Sequence, residues 1–250
     1  MNPDMPPMEG REPDEFSHRE IETKILNIGS PDAFKARILA GGGELVRDRR
    51  LLNDTSHALP KDGNPENTIR LSTNGFGNVD ELREILALLG VEIIEEQETG
   101  FVLHVPQGLP RRTVRIRDDG GHSVLTVKEK RNRKADIEDR VEIETAIPKI
   151  DKAVELLEKV GYQPQSIREK YRTTYRIGEV LVELNEGPAG APWAEVEGPS
   201  MAAVEETVRA LGYSAGDIAN ISDSEHYRNQ GVPEEQIRHL TFGGGRERSA

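Results

Sequence analysis

The sequence contains no cysteine. Disulfides, thiolate nucleophiles and zinc-thiolate sites are therefore excluded, and a cytoplasmic setting is expected. It also lacks any long hydrophobic run. The longest, Ile85 to Leu89, cannot span a bilayer, and the first fourteen residues hold no apolar core for a signal sequence. No excess of basic residues is present either. With a net charge of -12 and a pI near 5.1, general binding to nucleic acid or to an anionic membrane is not expected, although local basic clusters would still bind small anions. The six histidines (His18, His57, His104, His122, His226 and His239) form no i,i+4 pair and no HExxH, so zinc is not expected. There is no GxSxG elbow and no GxGxxG after a strand. Gly41-Gly42-Gly43 follows a helical pattern, the reverse of a phosphate loop, and reads as cap and turn.

What the sequence does have is charge at every second position. HREIETKI places Glu20, Glu22 and Lys24 on one face of a strand and Ile21 and Ile25 on the other. One such stretch describes any solvated edge, but this one recurs. TVRIR carries Arg115 and Arg117, VLTVKEK carries Lys128 and Lys130, and DRVEIE carries Arg140, Glu142 and Glu144. IREKYRTTYRI carries Arg168, Lys170, Arg172 and Arg176, LVELN carries Glu183 and Asn185, and WAEVEG carries Glu195 and Glu197. The intervening residues are mostly apolar, so the other face must be covered.

The remaining elements supply the cover. Residues 1–15 and 243–250 read as tails flanking one folded region over 16–242. Ser30-Pro31 predicts a capped helix running to Leu39. A second helix over 80–89 has Leu82, Ile85, Leu86 and Leu89 on one stripe, with Asn78 and Glu81 spaced as a capping box. Helices over 151–160 and 201–211 complete the set. The stretch from Asp32 to Val46 lines up at constant spacing with that from Asp80 to Ile94, and TIRLSTNG resembles TVRIRDDG. An internal duplication follows, with an inserted helix-strand unit at about 66–108. The fold expected is α+β, an antiparallel barrel inverted relative to the common kind, with charge inside and the hydrophobic core between its wall and the helices.

Charge held inside a barrel costs several kcal/mol per ion, and pairing alone rarely repays that cost. A bound polyanion with metal gives the arrangement a reason. Lys24, Arg115, Arg117, Lys128, Lys130, Arg140, Lys170 and Arg172 are candidate oxyanion ligands. Glu20, Glu22, Glu142, Glu144, Glu183, Glu195 and Glu197 are candidate ligands for Mg2+ or Mn2+, which suit hard carboxylates.

As an ordered set, the ExExK strand, the VRIR and LTVKEK pair, RVEIE, the KYR strand and the closing EVE resemble the CYTH superfamily, or triphosphate tunnel metalloenzymes. That superfamily includes class IV adenylyl cyclases, thiamine triphosphatases and inorganic triphosphatases. The resemblance implies an eight-stranded antiparallel tunnel that binds a triphosphate and a divalent metal. By position, it implies Glu20, Glu22, Glu195 and Glu197 as metal and catalytic-water carboxylates, with Glu20 and Glu22 the catalytic pair. It implies Lys24, Arg115, Arg117, Lys128 and Arg172 as phosphate ligands, with Lys170 and Arg140 beside them. Glu142 and Glu144 match an acidic pair that holds substrate groups or metal in some members.

Two departures stand out. Asn53-Asp54-Thr55 resembles a family turn without its aromatic residues, far from Arg115, and the extra unit lies between. Asn185 stands where the family often has aspartate, with Glu183 on the same face as a substitute. Trp193 reads as a packed wall residue, with stacking on a nucleobase the alternative. The function expected is a triphosphatase acting on inorganic tripolyphosphate, thiamine triphosphate or a nucleoside triphosphate. The alternatives are an adenylate cyclase releasing cyclic AMP and pyrophosphate, and a non-catalytic phosphate or nucleotide sensor. The expected partner is a small-molecule triphosphate, and a homodimer is the expected form of any self-association.

Overall fold

A computed structural model describes residues 18–110, 112–130 and 138–243; the side chains of residues 18–20, 129–130 and 138–141 are not described. Its organising feature is a ring of eight strands: β1 (His18–Ile25), β2 (Glu44–Ala58), β6 (Thr113–Asp118), β7 (Ser123–Lys130), β8 (Glu138–Ala146), β9 (Gln163–Ile177), β10 (Val180–Glu186) and β11 (Trp193–Gly198). Around the ring the order is β10-β11-β1-β8-β7-β6-β2-β9, and β9 pairs back onto β10, so the sheet closes. All eight pairings are antiparallel. Closure leaves no unpaired edge in the ring and makes one face of every strand an interior.

Alternation then decides what goes where. The outward residues Ile21, Ile25, Val180, Val182, Leu184, Ala194 and Val196 are buried against α1 (Pro31–Ala40) and α4 (Met201–Ala210), through Phe34, Ile38, Val204 and Val208. On the other side, Val114, Ile116, Leu125, Val127 and Ile143 are buried against α2 (Val79–Leu89) and α3 (Ile150–Lys159). Each fully buried aliphatic side chain contributes roughly 1.5–3 kcal/mol. The apolar core therefore lies outside the barrel wall.

The helices begin where their capping residues stand. Ser30 accepts from the Ala33 amide with Pro31 in the first turn, and Asn78 accepts from the amides of Asp80 and Glu81. Gly90, at φ 79°, ends α2 in the left-handed conformation that glycine adopts without penalty.

Between β2 and β6 the chain builds a second sheet, in which β5 (Gly100–Val105) lies between β3 (Asn67–Ser72) and β4 (Glu92–Gln97). The two similar stretches of sequence thus occupy different settings. α1 leads into β2 of the barrel, whereas α2 leads into β4 of the small sheet. Residues 68–75 contribute β3, and residues 113–120 contribute β6.

After α4 the chain returns along the barrel as β12 (Ile218–Ala219), pairing with β1. Then follow α5 (Asp223–Asn229), α6 (Glu234–Arg238) and β13 (His239–Leu240), which lies parallel to β9. None of these last elements is signalled by a long apolar period. They are held instead by a small cluster of Trp193, Tyr227, Ile237 and Leu240. Among the described residues no helix is long and apolar enough to cross a membrane.

Ile25 sits fully buried behind the charged face of β1. Ile25→Ala should lower the unfolding free energy by about 2–5 kcal/mol in denaturant titration. Ile94→Ala, at an exposed position of β4, should change it by less than about 0.5 kcal/mol.

Candidate functional site

The ring encloses a cavity of about 330 Å³, lined almost wholly by charged side chains. The signs of charge are not mixed at random. Four consecutive strands, β7, β6, β2 and β9, supply Lys128, Arg115, Arg117, Arg47, Arg50, Arg168, Lys170 and Arg172. The other four, β10, β11, β1 and β8, supply Glu183, Glu195, Glu197, Glu22, Glu142 and Glu144. Lys24 crosses the division on the acidic half, and Asp54 and Glu169 cross it on the basic half. One half-ring is basic and the facing half-ring is acidic.

Across the basic half, Asp54 accepts two hydrogen bonds from Arg117, at 2.7 and 2.8 Å. Burial opposes charge on Asp54, yet Arg117 outweighs it and holds the carboxyl far below its usual range. Arg172 donates to Asn185 Oδ1 at 2.9 Å and reaches Glu183 and Glu195, the latter at 2.5 Å. Burial drives the Lys170 ammonium pKa down, and Asp223 at 3.1 Å and Glu195 at 3.7 Å offset only part of that. Arg115 lies 3.3 Å from Glu142, which also pairs with Lys128.

The acidic half divides in two. Glu195 is buried but surrounded by cations, Lys24 at 3.1 Å, Lys170 and Arg172, which hold its carboxyl well below the usual range against the cost of burial. Glu197 has the opposite surroundings. Burial, together with the carboxylates of Glu183 and Glu22, pushes it up to about 7. Among the described residues it has no hydrogen-bond or ion-pair partner. Three carboxylates that repel one another in a buried wall are the donor chemistry a hard divalent cation relieves. Among the described residues no ready-made group of three acidic, histidine or cysteine ligands is present. Mg2+ seldom needs one, since it is commonly bound through one or two carboxylates, waters and substrate phosphates. The residues fit such an ion.

Of the residues singled out from sequence, Glu22, Lys24, Arg115, Arg117, Lys128, Glu142, Glu144, Lys170, Arg172, Glu183, Glu195 and Glu197 are brought together on this cavity. Glu20 and Arg140 lie opposite each other in the β1–β8 register; their side chains, and that of Lys130, lie outside the described residues. Arg70, which stands in TIRLSTNG where Arg115 stands in TVRIRDDG, is exposed on the separate three-stranded sheet. Asn185, fully buried, holds Arg172 in place. Trp193 is fully buried against His226 and Tyr227, with ring centroids 4.7 and 5.7 Å away, so it forms part of the wall. No histidine lines the cavity among the described residues.

Other lining residues were not singled out. Asp54 is visible in the sequence only as part of a turn-like motif, because its partner Arg117 lies 63 residues away and leaves no local signal. Asp223, first residue of α5, reaches in to Lys170 and to Lys24 at 3.5 Å. It lies on a helix too short to show a period. Ser222 caps that helix by accepting from the Glu225 amide, which fixes where Asp223 points.

A closed antiparallel ring with a divided, charged interior defines an architectural class, the charged β-tunnel. Residues 77–223, more than half of the chain, match the CYTH domain family, and the chain belongs to that family. Solved structures share the fold. The PH1012 protein of Pyrococcus horikoshii is 18% identical with a TM-score of 0.53, over 80% of this chain and 93% of that one. A conserved hypothetical protein of Pyrococcus furiosus is 18% identical with a TM-score of 0.54, over 82% and 97%. A protein of Vibrio parahaemolyticus, described as a candidate adenylate cyclase, is 17% identical with a TM-score of 0.54, over 84% and 98%. Among curated proteins no sequence matches significantly.

Two outcomes follow from the electrostatics. Removing the buried partner of Arg117 by Asp54→Ala should destabilise the protein by about 3–5 kcal/mol, read from its denaturant midpoint. Because the Glu197 pKa is raised in the folded state, that state holds the proton more tightly than the unfolded chain. Stability from this group is then full below about 4.5 and falls as pH rises to about 7. In chelator, Glu197→Gln should exceed wild type at pH 8 by about 3 kcal/mol, and the difference should vanish near pH 4.

Proposed function

We propose that this protein is a metal-dependent triphosphatase, taking a triphosphate into the tunnel and releasing orthophosphate. The observation that carries the reading is the division of the ring into facing basic and acidic halves. A triphosphate needs cations around its oxygens, and a divalent ion bound to it needs carboxylates on the opposite side. Stability alone would favour an apolar lining, since buried ion pairs often do no better than hydrophobic replacements.

In this reading Lys128, Arg115, Arg117, Lys170 and Arg172 bind and orient the phosphate chain, exchanging their present carboxylate partners for phosphate oxygens. Arginine suits this because its fork can hold two oxygens of one phosphoryl group. Glu22, Glu183 and Glu197, with Glu20 two positions before Glu22 on β1, are the residues that would hold Mg2+ or Mn2+. Glu195 is already committed to Lys24, Lys170 and Arg172, and its role is to keep those cations aimed inward. When bound, the ion supplies charge neutralisation and lowers the pKa of water. A water oxygen attacks the terminal phosphorus, the bridging P–O bond breaks, and the water proton passes to a carboxylate of the acidic wall. The basic half stabilises the charge left on the departing diphosphate.

The lining also bears on the leaving group. Among the described residues its one aromatic is Tyr227 and its one aliphatic is Ile221, while Trp193 is fully enclosed. A nucleobase finds little apolar surface there, whereas inorganic tripolyphosphate needs none. Cyclase chemistry is the second reading, suggested by the description of the Vibrio neighbour. It would use the same grip with the α-phosphorus aligned.

Purified protein with Mg2+ or Mn2+ should release orthophosphate from tripolyphosphate, and Arg115→Ala should lower kcat/KM by about 100-fold or more with little change in melting temperature. Cyclic AMP and pyrophosphate from ATP would replace the first reading with the second. Phosphate binding without turnover on any triphosphate would make the protein a sensor.

A further inference from the structure

The basic wall does not stop at the residues that a triphosphate would engage. Arg172 lies opposite Arg50 of β2, and further toward the end of the ribbon Thr174 lies opposite Arg47. Regular alternation would put Arg47 and Arg50, three residues apart, on opposite faces. A bulge prevents this. Three residue steps on β2 match two on β9 between those pairs, and both arginines line the cavity. Bulges commonly re-aim side chains at sheet rims and beside sites.

Neither arginine is fully spent on structural pairing. Arg47, exposed at the mouth, has no hydrogen-bond or ion-pair partner among the described residues. Arg50 is gripped from one side by Asp119, itself fixed by the amides of His122 at 2.8 Å and Gly121 at 3.2 Å. Its Nε is buried and unpartnered. A buried donor left unsatisfied is destabilising, and a ligand oxygen would relieve it. Arg47, Arg117 and Arg172 crowd Arg50, and burial with this crowding lowers its pKa. An anion placed among them relieves that repulsion.

We infer that Arg47 and Arg50 form an additional phosphate subsite continuous with the tunnel, suited to a linear phosphate chain of four or more units. The inference rests on the tunnel binding a phosphate chain, and it assigns the part of the chain beyond the third phosphoryl group. Arg168, Lys170 and Arg172 occupy alternate positions along β9, and Arg50 and Arg47 carry the same line of charge onward to the mouth. One further charge-assisted contact of this kind corresponds to about a tenfold gain in affinity.

The experiment compares binding of inorganic tripolyphosphate and tetrapolyphosphate by calorimetry, in chelator so that no turnover intervenes. Wild type should bind tetrapolyphosphate about tenfold more tightly. In Arg47→Ala, and separately in Arg50→Gln, that ratio should fall to within about threefold. Arg176→Ala removes an exposed charge from the same ribbon outside the cavity and should leave the ratio at its wild-type value. Melting curves identify a variant that fails to fold, and Arg47, lacking any partner, keeps the test independent of Arg50. Equal affinities in wild type, or a ratio unchanged in both cavity variants, would overturn the subsite while leaving the triphosphatase reading intact. Binding of neither chain, in chelator and again with Mg2+ added, would overturn both. Chain-length preference without hydrolysis of either compound would retain the subsite and remove the triphosphatase.

Discussion

The structure depends on sorting opposite charges onto facing halves of a closed ring, where they meet as ion pairs. Lysines and arginines on four adjacent strands face carboxylates on the other four, largely withdrawn from bulk water. Mixed charges could have neutralised one another locally, strand by strand. Division instead sets the two signs against each other where the halves meet, as Arg172 does with Glu183 and Glu195 and Lys128 with Glu142. The net charge of the whole chain, -12, hides this. The protein is acidic, but its most enclosed surface has a strongly basic side.

Such an interior is affordable only because hydrophobic burial happens elsewhere. Ile21 and Ile25 stand behind Glu22 and Lys24, and Leu125 and Val127 alternate with Thr126 and Lys128. Helices pack against the outside of this wall, and on its inside Glu197 lies near the carboxylates of Glu183 and Glu22. The chain's last third adds a second constraint. Trp193 and Tyr227 dock α5, and docking α5 places Asp223 among the cations of the basic half. Asp223 and Glu195 show how the site keeps Lys24 and Lys170 ordered: each ammonium lies between carboxylates.

Much of this was legible in the sequence wherever the period was regular. Charge at alternate positions of β1, β6, β7, β8, β10 and β11 predicted the interior face, and the apolar positions between them predicted the outer wall. Ser30-Pro31 and Asn78 marked helix starts correctly. Regularity was also the limit. Arg47 and Arg50 escape a period of two because a bulge separates them, and the sequence contains no sign of that bulge. Asp223 escapes because α5 is only seven residues long and its position depends on a tertiary contact with Trp193. By sequence alone, Glu183 stands as a substitute for the missing aspartate at Asn185. The structure gives the pair linked roles: both hold Arg172, and Glu183 also raises the pKa of Glu197.

The most direct test of the divided tunnel is whether its two halves bind cooperatively. Calorimetric titration of tripolyphosphate should be carried out at increasing Mg2+, and of Mg2+ at increasing tripolyphosphate, with free metal-phosphate complexation subtracted. A basic half that takes phosphate and an acidic half that takes the ion, facing one another, should strengthen each other's ligand reciprocally by about tenfold or more. Independent affinities, or phosphate binding weakened by Mg2+ after that subtraction, would contradict the account.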